Sequence, residues 1–266
     1  MAQPLISVIV IAAMLLAAWL ASVALSDASI VDPLWGLTFA VLALVTALAR
    51  TSHTAGWLLA VMTVIWGGRL GLHLARRKLA EPGEDRRYVD LRKRHPGRFW
   101  LYSLFAVFVT QGVLIAVVAL PIELLPRDAG LSWVAIPGVA LWALGVFFET
   151  VGDEQLRRFK DDPANRGKVM DRGLWRYTRH PNYFGDACVW VGLWLVAMAG
   201  GASWWSVVGP LVMLWLLTRG SGKPLLEREI GSRRPGYAEY VERTSGFIPL
   251  PPRRPASADA GASGSG

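Results

Sequence analysis

The chain has 266 residues, of which 53% are hydrophobic and only 18% charged, and its mean hydropathy is +0.36. A soluble domain carries roughly 25% charged residues. Here the apolar residues also fall in long runs, which excludes a soluble α/β enzyme, a disordered chain and a disulfide scaffold. The formal net charge of +8 suggests a nucleic-acid partner until the charges are located.

A bilayer core takes a helix of roughly 20 apolar residues. In chain order the stretches 4–26, 30–49, 56–74, 99–120, 132–151, 183–200 and 204–217 meet or approach that length, so the sequence predicts an all-α polytopic membrane protein with seven transmembrane helices. The last two are short and joined by Gly201-Ala202-Ser203, which predicts a tight helical hairpin. No Lys or Arg precedes Arg50, so the first stretch reads as a span and not as a cleaved signal peptide. Of the 28 basic residues only Arg50 and Arg127, apart from Arg69 within a span, fall outside the segments 26–30, 75–98, 152–182 and 218–266. By the positive-inside rule those segments are cytoplasmic, with the N-terminus outside and the C-terminus inside. Residues 1–254 are expected to form a single membrane domain, and the Ala-, Ser- and Gly-rich stretch 255–266 a disordered tail.

Ionisable residues within spans mark function more often than packing. Asp32 opens the second stretch, Arg69 nears the end of the third, Glu149 and Asp153 close the fifth, and Asp186 sits one turn into the sixth. All five are expected at the cytoplasmic ends of their helices, lining a shared polar cavity. Glu149 and Asp153 share a helix face at i,i+4, as do Asn182 and Asp186.

The segment 173–186, Gly-Leu-Trp-Arg-Tyr-Thr-Arg-His-Pro-Asn-Tyr-Phe-Gly-Asp, reads as a basic loop entering a helix at Pro181. Arg172, Arg176, Arg179 and His180 precede a helix N-terminus, and cations beside that positive dipole end predict an anion such as a phosphate. Asn182 both donates and accepts, which suits a carboxamide or an adenine edge. A second segment, 76–98, carries nine basic and four acidic residues. In the third, Leu225, Leu226 and Ile230 fit an amphipathic helix on the membrane surface. The basic residues are confined to membrane-flanking loops, so nucleic acid is not an expected partner; membrane lipids are. The four histidines form no ligand pair at helical spacing and Cys188 is the only cysteine, so no metal site is expected.

The stretch 173–186, with Glu149-x-x-x-Asp153 before it and Tyr237-x-x-Tyr240 and Phe247-Ile-Pro249 after it, resembles the steroid 5-alpha-reductase family. Asp32-Pro-Leu-Trp35-Gly, Trp66-Gly-Gly-Arg69, Glu84-Asp-x-Arg-Tyr88 and Gln111-Gly look like its bacterial multi-span branch. The resemblance implies a bacterial inner-membrane reductase of the 3-oxo-5-alpha-steroid 4-dehydrogenase type. It would take NADPH from the cytoplasmic side to saturate a polarised C=C bond of a steroid-like or other lipid substrate. It implies that Asp153, Lys160, Arg172, Arg179, Asn182 and Asp186 hold the cofactor with help from Arg69 and Tyr177; Glu149 and His180 belong to the same candidate set. Asp32 would act beside the substrate carbonyl. The family's proton-donating tyrosine falls at Trp66, which donates a hydrogen bond but releases no proton, and an asparagine of the family falls at Glu149. Two other readings remain open: an S-adenosylmethionine-dependent membrane methyltransferase of the isoprenylcysteine carboxyl or phospholipid type, and a non-catalytic lipid-binding protein.

Overall fold

The computed structural model describes residues 2–49, 54–81, 83–220, 227 and 234–253. Among these the regular secondary structure is all helix, without a strand. The main elements are α1 (Ala2–Ala24), α2 (Val31–Ala49), α3 (Thr54–Ala80), α4 (Arg86–Arg94), α5 (Phe99–Ser103), a π-helical stretch at Leu104–Val109, α6 (Thr110–Val118), α7 (Leu120–Glu123), α8 (Ala135–Asp161), α9 (Pro181–Ala199), α10 (Val208–Thr218) and α11 (Tyr237–Arg243). Six helical runs are long and apolar enough to cross a membrane: Pro4–Ala24, Ala28–Ala49, Thr54–Ala80, Phe99–Val118, Ala135–Asp161 and Pro181–Ala199. A seventh, Trp204–Thr218, is shorter. The chain is an all-helical polytopic membrane protein.

Two helices outrun their apolar stretches. α3 continues past residue 74 to Ala80, and α8 past residue 151 to Asp161, so Asp153 lies inside a helix and does not close one. The polar extension of α8 is laced by local ion pairs, Arg157 with Glu154 at 2.8 Å and with Asp161 at 2.6 Å, and Arg158 with Glu154 at 2.6 Å. Such i,i+3 and i,i+4 pairs contribute a few tenths of a kcal/mol each. The tail 255–266, the amphipathic helix expected around Leu225, Leu226 and Ile230, and Arg50 lie outside the described residues.

The chain divides into two compact units, Met1–Val139 with Leu193–Val212, and Ala140–Gly192 with Met213–Gly266. In the first, α2 and α3 approach to backbone contact: a Cβ on Gly36 would stand 2.7 Å from the Gly67 carbonyl oxygen. Small residues at a crossing are how membrane helices gain packing where no hydrophobic drive exists. Phe39 lies against the fully buried Trp66, with ring centroids 5.9 Å apart. A groove of about 450 Å³, lined by apolar residues including Ile11, Leu15, Phe108 and Gly112, runs between α1 and the helix that contains the π-helical stretch.

The polar end of this unit is a network around the entry to α2. Asp27 caps the 3-10 turn Ala28–Ile30 by accepting from the Ser29 N–H, and pairs with Lys78 at 2.5 Å. Glu84 accepts from Arg92 at 2.8 and 2.9 Å and from the Ala28 N–H at 2.8 Å. Burial pushes the Asp27 carboxyl up, but hydrogen bonds from Lys78 and Ser29 outweigh it and hold it below the usual 3.8. A carboxylate with a depressed folded pKa stabilises the fold above the unfolded value, and that contribution is lost as the pH falls through the lower folded value. The melting-temperature gap between the wild type and Asp27→Asn in detergent is therefore expected to persist at neutral pH and to shrink once the pH drops below 3.8. A gap that stays constant through that range would contradict the assignment.

Candidate functional site

In the second unit, one face of α8 carries Gly145, Glu149, Gly152 and Asp153, and one face of α9 carries Pro181, Asn182, Gly185, Asp186 and Val189. Helical periodicity puts each set in line, and the two faces meet. A Cβ on Gly145 would lie 2.5 Å from the Gly185 carbonyl oxygen, and one on Gly185 would lie 2.6 Å from the Gly145 oxygen and 2.8 Å from the Glu149 nitrogen. Gly152 faces Pro181, its built Cβ falling 3.1 Å from the proline ring. The two glycines thus let backbone approach backbone, and the polar side chains beside them are drawn into the seam. Glu149 keeps 2% of its surface exposed and Asp153 8%. The Asn182 amide Nδ2 donates to Asp153 Oδ1 at 3.3 Å, while Asn182 Oδ1 accepts from the Tyr183 N–H at 3.0 Å.

The basic loop is pinned to α8 from above. Gly173 adopts φ +58°, which favours glycine, and a Cβ there would fall 2.5 Å from the Gln155 amide and displace it from the loop. Gln155 Oε1 accepts from the Leu174 N–H at 3.0 Å, and Trp175 Nε1 donates to the Gly152 carbonyl at 3.0 Å. A C-terminal strap then ties the same loop down. Tyr240 Oη donates to the Trp175 carbonyl, Thr178 Oγ1 to the Phe247 carbonyl at 2.8 Å, the Arg179 N–H to the Ser245 carbonyl at 2.9 Å and the Leu250 N–H to the Tyr177 carbonyl at 3.0 Å. Arg243 pairs with Asp171 at 2.5 Å.

Of the residues expected to hold a cofactor, Glu149 and Asp153 of α8 and Asn182 of α9 come together in the seam, and Asp186 lies one turn beyond Asn182 along α9. Arg179 and His180 are buried, with 9% and 4% of their surfaces exposed, and both engage Glu227: Arg179 Nε stands 3.1 Å and His180 Nε2 3.0 Å from Glu227 Oε1. Burial, and next the Glu227 charge, push the Tyr237 hydroxyl up to about 12. Lys160, Arg172 and Tyr177 are exposed, and among the described residues neither Lys160 nor Arg172 meets a carboxylate.

Asp32, Trp66 and Arg69 belong to the first unit. Both Asp32 oxygens are engaged, Oδ2 by Arg87 at 2.8 Å and Oδ1 by the Tyr88 hydroxyl at 2.9 Å. Burial raises the Tyr88 phenol well above its ordinary value, and the Asp32 charge raises it further. Trp66 is enclosed against Phe39, and Arg69 is half-buried. Sequence reasoning missed Arg87 and Tyr88 as partners of Asp32, although it marked their motif. It also missed Gln155, Thr178 and Glu227, whose contacts with the loop span 19 to 69 residues of chain. Only the crowding of Glu227 among basic residues hinted at a role.

Among the described residues no group of three or more His, Cys, Asp or Glu side chains is placed to hold a metal ion. No curated protein and no solved structure matches the chain. The model of one family, described as protein of unknown function (DUF1295), does match, over residues 18–244; the chain belongs to that family, which is related to the steroid 5-alpha-reductase-like proteins.

Proposed function

We propose that the protein is a membrane-embedded reductase that uses NADPH to saturate a polarised C=C bond of a lipid-like substrate. The observation that carries this reading is the Asp153–Asn182 contact across the α8–α9 seam, in a unit whose exposed Lys160 and Arg172 meet no carboxylate among the described residues. A carboxylate and an amide fixed side by side suit the hydroxyls and carboxamide of a dinucleotide. Exposed Lys160 and Arg172 suit its phosphates. When bound, the cofactor supplies a hydride. The chain's part is to hold it and to polarise the substrate. Asp32 and Trp66 are the residues proposed to face the substrate oxygen, and Tyr88, whose hydroxyl rests on Asp32, adds the transferable proton that an indole lacks. The resemblance to the steroid 5-alpha-reductase family and the basic segments also support a site open to the cytoplasm in a bacterial inner membrane.

One observation favours a different enzyme. Three acidic side chains, Glu149, Asp153 and Asp186, sit on the facing helix surfaces of the seam. Such a surface suits a sulfonium and an amine, as in an S-adenosylmethionine-dependent methyltransferase. Equilibrium binding decides between them: purified protein is expected to saturate with NADPH and to ignore S-adenosylmethionine, and the reverse result would replace the reductase by the methyltransferase.

A further inference from the structure

Arg179 and His180 are buried basic side chains that share one oxygen of one acid. Arg179 Nη1 donates to the Val241 carbonyl at 3.0 Å, which fixes the guanidinium. Its Nε stands 3.1 Å from Glu227 Oε1 but out of line for a hydrogen bond, and among the described residues this buried N–H has no aligned acceptor. His180 Nε2 reaches the same Oε1 at 3.0 Å, and the imidazole is held flat on Tyr183, with ring centroids 5.2 Å apart at 8°. The Glu227 carboxylate thus offsets the Arg179 charge while a donor is left over. A buried donor without an acceptor is costly, and such groups call for an explanation. A group with several oxygens around one centre could meet Arg179 Nε and His180 Nε2 in line at once, which a single carboxylate oxygen does not.

We propose that Arg179 and His180 form a binding site for a phosphoryl oxyanion, and that Glu227 is its resident occupant, displaced when the ligand's phosphate arrives. The phosphate can come from a dinucleotide, from a lipid headgroup or from solution. Only the first source rests on the reductase reading. Glu227 then acts as a competitor built into the chain: it offsets the buried Arg179 charge in the ligand-free protein, occupies His180 Nε2 and sets a threshold that an anion must exceed.

The test uses the full chain in detergent with inorganic pyrophosphate as probe. Glu227→Gln is expected to bind pyrophosphate at least about tenfold more tightly than the wild type, since the competing charge is gone. Adding Arg179→Gln to that variant is expected to abolish the gain. Equal affinity in wild type and folded Glu227→Gln would overturn the proposal and leave Glu227 a structural ion pair. Should the variant fail to fold, the wild type decides: carbodiimide modification of Glu227, read by mass spectrometry, is expected to rise several-fold when pyrophosphate binds, and unchanged labelling would overturn the proposal. The same labelling separates the sources. A rise with NADPH identifies the dinucleotide, and a rise only in phosphatidate nanodiscs identifies a lipid headgroup. A rise with pyrophosphate but not with NADPH keeps the site and removes the dinucleotide from it.

Discussion

Gly185→Leu is expected to leave a protein without a formed α8–α9 seam, seen as loss of a cooperative melting transition in detergent. The cause is geometric. Even a single methyl group at Gly185 would stand 2.6 Å from the Gly145 oxygen and 2.8 Å from the Glu149 nitrogen. Both neighbours are backbone, so no rotamer change relieves the contact and the helices must part. Gly185→Ala should therefore cost about 3 kcal/mol or more, at or beyond the upper end for overpacked cores, although alanine is the better helix former. Gly68 supplies the control. It lies within α3 with nothing within 4 Å of a built Cβ, so Gly68→Ala should be neutral or stabilise by up to about 1 kcal/mol. Equal melting temperatures for the Gly185→Ala and Gly68→Ala proteins would show that the seam is looser than the geometry states.

Asn182→Ala should weaken NADPH binding about 10- to 100-fold, because a hydrogen-bonding group worth about 1.5–3 kcal/mol against a charged or polar partner is removed. Asp153→Ala should produce a loss of similar size. The two side chains touch at 3.3 Å, so the double variant should lose little more than either single one. Additive losses would mean that the two residues contact the cofactor separately. Unchanged affinity in all three, with helical content preserved, would remove the cofactor from this seam.

The sequence foretold much of this arrangement. The i,i+4 spacing of Glu149 with Asp153 and of Asn182 with Asp186 was enough to place four polar groups on two helix faces, because helical periodicity is local information. The glycines that let those faces meet were present in the same stretches, but a helical glycine carries no sign of what lies across from it. Partners from distant chain segments were invisible for the same reason. Asp32 finds Arg87 and Tyr88, 55 and 56 residues away, and His180 finds Glu227 at a separation of 47. The arginines of the basic loop were read alike as phosphate ligands, yet burial divides them. Arg179 is enclosed and faces Glu227 in the ligand-free protein, whereas Arg172 is exposed. The length of α8 was underread because hydropathy ends at the polar boundary while its i,i+4 ion pairs carry the helix onward.

The strap that binds residues 175–179 to residues 240–250 also orders events in time. A ribosome delivers the loop more than sixty residues before the segment that fastens it. During that interval its carbonyls and the Arg179 amide have only water or lipid headgroups as partners. The architecture around the loop therefore matures only after residues 240–250 have been made. A nascent chain halted near residue 236 would hold α8 and α9 yet lack the fastened loop.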